Sequence, residues 1–278
     1  MIQLTNLSYR YPSGISAIDH ANAMIGPGIH LLAGENGAGK STLLRLMAGL
    51  LYPSAGEVTI DGRNVALREP DVMNRIFFVS DDMMLPANSV NRLACNIGEF
   101  YPHFDRQFLA EALGIFDLDG NARFDRLSLG NRRKTLISFA LACGTDIVML
   151  DEPSNGLDLG ARRALSTLMM MWTGQKSDRT LIVSTHSVAD IESIVDGVIM
   201  LRKSNLLLGA ECSHILSRIC FVKSLVPPED TLFTMPDTGM FRSITLNDGF
   251  SDESDIDLPL LYHGLHSPAA AKILNALT

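Results

Sequence analysis

Residues 34–42 read Gly-Glu-Asn-Gly-Ala-Gly-Lys-Ser-Thr and fit the spacing G-x-x-x-x-G-K-[ST], with Gly34, Gly39, Lys40 and Ser41 at its fixed positions. Glycines let a backbone turn tightly, so that successive N–H groups converge on the oxygens of a phosphate. A helix starting just after such a turn adds the partial positive charge of its N-terminus. A lysine placed there can reach β- and γ-phosphates, and a serine hydroxyl can ligate Mg²⁺. The segment therefore predicts a nucleotide site made by Gly34, Asn36, Gly37, Ala38, Gly39, Lys40, Ser41 and Thr42. Alone it leaves kinases, GTPases, helicases and transport ATPases open.

Four further signals follow in order. Residues 147–152 (Ile-Val-Met-Leu-Asp-Glu) form an apolar run ending in two carboxylates. Asp151 can hold Mg²⁺ through water, and Glu152 can polarise an attacking water. Upstream, Leu127-Ser-Leu-Gly-Asn131 precedes a helical stretch; downstream come Ser154-Asn-Gly-Leu-Asp158 and Ser184-Thr-His186. Singly, each has a plainer reading: strand-end charges for Asp151 and Glu152, a helix cap for Ser128, a satisfied loop histidine for His186. Five motifs in this order outweigh those readings together.

The elements that must hold these groups are legible as patterns. Residues 28–33 read as a buried strand and residues 41–48 as a helix, the strand–turn–helix setting a phosphate loop requires. Short β-like runs lie at 2–4, 7–11, 29–32, 56–60 and 76–79, and residues 147–150 and 181–184 suit central parallel strands. Residues 83–142 are mainly helical, broken near Tyr101-Pro102 and Gly120, and read as an inserted subdomain. A helix over 161–172 carries Met169-Met-Met-Trp172 as core. The expected fold is α/β: residues 1–212 as the nucleotide-binding domain and 213–278 as a small α+β C-terminal accessory region. The latter ends in a helix capped by Ser267 with Pro268 at its first position.

Composition narrows the function. With 31 acidic against 23 basic residues the net charge is −8, which argues against a duplex nucleic-acid partner. The richest apolar stretch, residues 136–150, is broken by Gly144, Thr145 and Asp146, and no secretory signal is evident. Four cysteines at 95, 143, 212 and 220 lack metal-ligand spacing and are expected to be reduced. A cytoplasmic protein is expected. His263 and His266 have metal-compatible spacing without a third ligand and read as loop residues; the acidic run 252–257 reads as a solvated loop.

Over roughly residues 1–210 the chain resembles the ATP-binding cassette (ABC) ATPases. The resemblance implies a P-loop NTPase core with a mostly parallel sheet, an antiparallel β subdomain and the helical insertion. It makes 34–42 the Walker A loop, 147–152 the Walker B strand, Glu152 the catalytic base, 154–158 the D-loop and His186 the switch histidine. Leu127 to Asn131 is similar to the signature LSGGQ; Ser128 and Gly130 are retained, and Leu129 and Asn131 replace glycine and glutamine. Ser128, Gly130 and Asn131 would contact the ATP held by a second subunit. Tyr11 falls where the family places an aromatic that stacks on adenine, with Tyr9 or plain strand packing as rivals. The Q-loop glutamine is replaced by Asp81, which can approach Mg²⁺ but, ionised, cannot donate a hydrogen bond.

The implied function is that of an ATPase using ATP and Mg²⁺. Two copies would close head-to-tail around the nucleotides and drive a separate transmembrane permease from the inner face of the membrane. The segment 100–105 and the C-terminal extension look like those of ATPases paired with ABC-2-type exporters. A non-transport ABC ATPase of cofactor assembly and an ATP-sensing module without turnover are the alternatives.

Overall fold

The computed structural model describes residues 1–83, 88–186, 188, 191–247 and 255–277. The chain opens with the hairpin β1 (Ile2–Arg10) and β2 (Ser16–Ile25), then enters β3 (Gly28–Gly34) and helix α1 (Lys40–Met47). A second hairpin, β4 (Ala55–Ile60) and β5 (Arg63–Asn64), turns at Asp61-Gly62, and α2 (Pro70–Met73) leads to β6 (Ile76–Val79). The helical insertion holds α3 (Val90–Asn96), α4 (Arg106–Ile115) and α5 (Leu129–Ala142). Next come β7 (Ile147–Asp151), α6 (Leu159–Gly174), β8 (Thr180–Ser184), β9 (Gly197–Arg202) and β10 (Asn205–Glu211). After α7 (Cys212–Arg218), strands β11 (Ile219–Ser224), β12 (Phe233–Asp237) and β13 (Met240–Leu246) precede α8 (Leu258–Leu265) and α9 (Ala270–Leu277).

The main sheet runs β5-β4-β1-β2-β10-β9-β3-β8-β7-β6, and β11-β13-β12 form a separate antiparallel sheet. Strands β6, β7, β8, β3 and β9 are parallel neighbours, while β1, β2, β4 and β5 make an antiparallel wing. The wing joins the rest through the parallel bridge Asn205↔Asp19. Strands β7 and β8 are buried along their whole lengths, as parallel strands covered by helices on both faces must be. The registers Gly34↔Leu201, Leu32↔Ser184 and Asp151↔Ser184 bring the carboxyl ends of β3, β7 and β8 to one edge, where open α/β sheets bind ligands.

The fold class matches expectation, and the differences in its elements have local causes. The runs 2–4 and 7–11 merge into one strand that ends at Arg10, one residue short of Tyr11, and is kinked by register shifts between Leu4 and Leu7, where Asn6 has φ +47°. Strand β2 escaped the pattern because Asp19, His20 and Asn22 interrupt it; Ile18, Ala21 and Ile25 bury against the sheet. Strands β9 and β10 and helix α8 were also unread. Asp257 is no solvated loop residue: its carboxylate caps α8 through Leu260 N at 2.9 Å and pairs with Arg242. The last helix starts two residues beyond Pro268, because Ser267 instead closes a turn onto Ala269 N. Residues 84–87 of the insertion and 252–254 of the acidic run lie outside the described residues.

The four-residue Met–Trp run divides by face. Met169 and Trp172 are fully buried, while Met170 and Met171 are exposed. Trp172 donates its indole N–H to Leu141 O at 2.9 Å, and the Arg179 guanidinium lies 4.5 Å from the ring centroid. This one side chain joins α6 to α5. Trp172→Ala is expected to cost about 3–5 kcal/mol, the usual loss for a buried aromatic, read as a lower urea midpoint with an unchanged slope.

Candidate functional site

The phosphate loop is set by backbone geometry. Gly39 has φ +107°, and a Cβ there would lie 2.3 Å from Ala17 O, so a side chain is excluded by both conformation and space. Helix α1 begins directly after it with no side-chain cap, which leaves its first-turn N–H groups available to an anion. Lys40 is 7% exposed, and its ammonium donates to Gly34 O at 2.8 Å and Glu35 O at 3.4 Å. Tyr11 shares a 2.8 Å hydrogen bond with Thr42 Oγ1 and meets Tyr9 edge-on. Tyr11, rather than Tyr9, thus touches the loop.

Across the edge, Asp151 is buried and accepts the Ser184 hydroxyl. Glu152 follows with φ +49°, a left-handed conformation that costs a glutamate about 1–3 kcal/mol and needs outside support. Its N–H donates to Ser184 O at 2.9 Å. One carboxylate oxygen meets His186 Nδ1 at 2.8 Å, and the other lies 4.0 Å from Lys40 Nζ. Lys40 and His186 therefore converge on the two oxygens of one carboxylate, that of Glu152.

The donors Ser41 Oγ and the Asp151 carboxylate are hard oxygens of the type Mg²⁺ takes. Among the described residues no three His, Cys, Asp or Glu side chains converge as a self-contained metal cage. A cation here would complete its shell from nucleotide phosphates and water, as Mg²⁺ does in phosphate-transfer sites. Asp81 has another partner: its carboxylate is ion-paired with Arg133. His263 lies in α8, and His266 stacks on Tyr262 with its Nδ1 2.8 Å from Tyr262 O.

The signature residues sit at the start of α5. Ser128 caps it by accepting Asn131 N at 3.2 Å, while Ser128 and Leu129 are exposed and Gly130 and Asn131 half-buried. Gly130 packs so closely on the D-loop that a Cβ would lie 2.8 Å from Gly156 O. Asp158 caps α6 through Ala161 N at 2.8 Å. Arg133, one turn into α5, donates to Glu152 O and to Asp81; sequence reading missed it. Its only sequence signal is an arginine downstream of the signature in a chain whose Q-loop position is acidic.

The family model described as "ABC transporter" matches residues 21–155. The chain is 30% identical over 223 residues to the cobalt import ATP-binding protein CbiO of Rhodobacter capsulatus, covering 76% of this chain and 79% of that protein. The chain belongs to the ATP-binding cassette family. The cassette is also 29% identical over 223 residues to the bacitracin transport ATP-binding protein BcrA of Bacillus licheniformis, covering 78% of this chain and 72% of that one. Its fold matches the dimeric post-hydrolysis structure of the cassette MJ0796 bound to ADP and Pi, with a TM-score of 0.66 at 23% identity over 76% of this chain and 98% of that one. As an ABC ATPase, the cassette uses ATP with Mg²⁺.

Lys40→Ala is expected to weaken ATP binding about tenfold to a hundredfold, the worth of one charge-assisted hydrogen bond. Isothermal titration calorimetry reads this directly, and an unchanged affinity would remove Lys40 from the site.

Proposed function

We propose that the cassette is the ATP-hydrolysing subunit of a membrane transporter, closing head-to-tail with a second copy and driving a separate transmembrane permease. The observation that carries the hydrolytic reading is the Glu152 carboxylate held between His186 at 2.8 Å and Lys40 at 4.0 Å. Glu152 orients water and accepts its proton as the water oxygen bonds the γ-phosphorus in line; the bridging P–O bond breaks, leaving ADP and phosphate. His186 Nδ1 holds the carboxylate in place, and the exposed imidazole is free to meet the γ-phosphate. Lys40 and the α1 N–H groups offset charge on the transferring oxygens. Ser41 and Asp151 would hold Mg²⁺, which would supply further charge neutralisation.

The exposed Ser128 and Leu129 fit a role at a second subunit, whose ATP would take the N-terminal charge of α5. Gly130 and Asn131 would complete that contact, and Tyr11 would pack on adenine. No helix among the described residues is long and apolar enough to cross a membrane. Membrane attachment on the inner face is accordingly assigned to the permease. We place residues 213–278 as an accessory region, on the ground that β11-β13-β12 share no ladder with the main sheet.

Export is the direction we favour, supported by the segment 100–105, the C-terminal extension and the likeness to a bacitracin transport protein. The cobalt import relative is the counterweight. Inside-out vesicles containing the cassette and its permease would accumulate substrate on ATP addition if the system exports; ATP-driven loss would reverse the assignment.

Glu152→Gln is expected to bind ATP, lose about a hundredfold or more in turnover, and accumulate as an ATP-bound dimer. Phosphate release and light scattering after size exclusion measure the two effects; native turnover would strip Glu152 of its role.

A further inference from the structure

The Arg133 guanidinium reaches three acceptors on two other segments. One terminal nitrogen donates to Glu152 O; the other donates to the Asp81 carboxylate and to Asp81 O at 3.0 Å. Its side chain is 10% exposed, against 54% for Asp81. Arginine suits this position because its planar fork presents several donors in fixed directions, whereas lysine offers one point charge. A cation this desolvated also needs an anion beside it, and Asp81 is that anion.

Glu152 is the residue that needs support. Its left-handed backbone is held by Ser184 on the N–H side and by Arg133 on the carbonyl side. A carboxylate three bonds from the backbone Cα cannot stay aligned if the peptide rotates. Alignment matters because displacing a reacting group by about 1 Å can cost a hundredfold in rate.

We propose that Arg133 is a positioning residue for the catalytic base, and that Asp81 acts as its anchor rather than as a ligand of the metal. The acidic residue at the end of β6 and the arginine in α5 then form one functional unit. The pair fixes the Glu152 carbonyl and thereby the direction of its carboxylate. The inference rests on Glu152 being the base.

The test is steady-state ATPase kinetics of the full chain carrying Arg133→Gln, Arg133→Lys, Asp81→Asn and the double variant Asp81→Asn/Arg133→Gln, with Glu152→Gln in parallel. Arg133→Gln is expected to lower kcat on the order of tenfold to a hundredfold, with ATP affinity within about twofold of native by calorimetry. Arg133→Lys should recover part of kcat. Asp81→Asn, on an exposed side chain that the fold tolerates, should lower kcat without shifting the Mg²⁺ concentration giving half-maximal rate. The double variant should be no slower than Arg133→Gln alone, since the two groups act as one. Glu152→Gln/Arg133→Gln should still dimerise with ATP.

Native kcat in Arg133→Gln, multiplicative losses in the double variant, or failure of the Glu152→Gln/Arg133→Gln protein to dimerise would overturn the positioning role. A raised Mg²⁺ requirement in Asp81→Asn would return that carboxylate to the metal. Native turnover in Glu152→Gln would instead overturn the base assignment, so the two readings fail separately.

Discussion

The site is organised around a buried cation. Lys40 is 7% exposed, yet its ammonium has two main-chain carbonyls and a carboxylate 4.0 Å away for company. A charge taken from water must be compensated, and carbonyl dipoles alone compensate an ammonium incompletely. The surrounding features answer that need: an uncapped helix start, a glycine at φ +107°, and buried strands whose carboxyl ends meet at one edge. Together they form a sheet edge rich in donors, where an anionic phosphate is the natural complement.

The same economy governs the acidic side. Asp151 takes a hydroxyl from Ser184, and Glu152 takes a histidine and faces the lysine. Two adjacent carboxylates thus receive different surroundings from one strand end: the first is buried and bonded to a neutral donor, the second, on a left-handed backbone, lies between Lys40 and His186. Consecutive residues of an extended strand point to opposite faces. The change of conformation at Glu152 lets both serve one site.

Much of this was legible because the decisive signals are local. The glycine loop, the strand before it and the run ending in Asp151-Glu152 each carry their own chemistry within ten residues. What escaped depends on distant partners. Strand β2 contains Asp19, His20 and Asn22 and becomes a strand through the ladder β1 offers it. Residues 197–202 form an apolar run that period alone does not assign; the slot between β3 and β10 settles it as β9. Helix α8 includes Pro259 and Gly264, ordinary breakers, and is started by Asp257 and packed through Leu258, Leu261 and Leu265. Arg133 became meaningful only when folding set it against Asp81, 52 positions earlier.

The three C-terminal strands share no ladder with the main sheet, yet they share its interior. Ile215, Ile219, Ile244, Leu258, Leu261 and Ile273 belong to the same buried apolar cluster as Leu150, Leu181 and Val198. A continuous interior links the thermodynamics of its parts. Nucleotide bound at α1 stabilises the folded chain by RT ln(1 + [L]/Kd), about 2.7 kcal/mol at a hundredfold excess over Kd. Part of that stabilisation reaches the C-terminal region through the common interior, although no residue there need touch the nucleotide. Resistance of residues 213–278 to protease therefore becomes a remote gauge of whether the phosphate loop is filled.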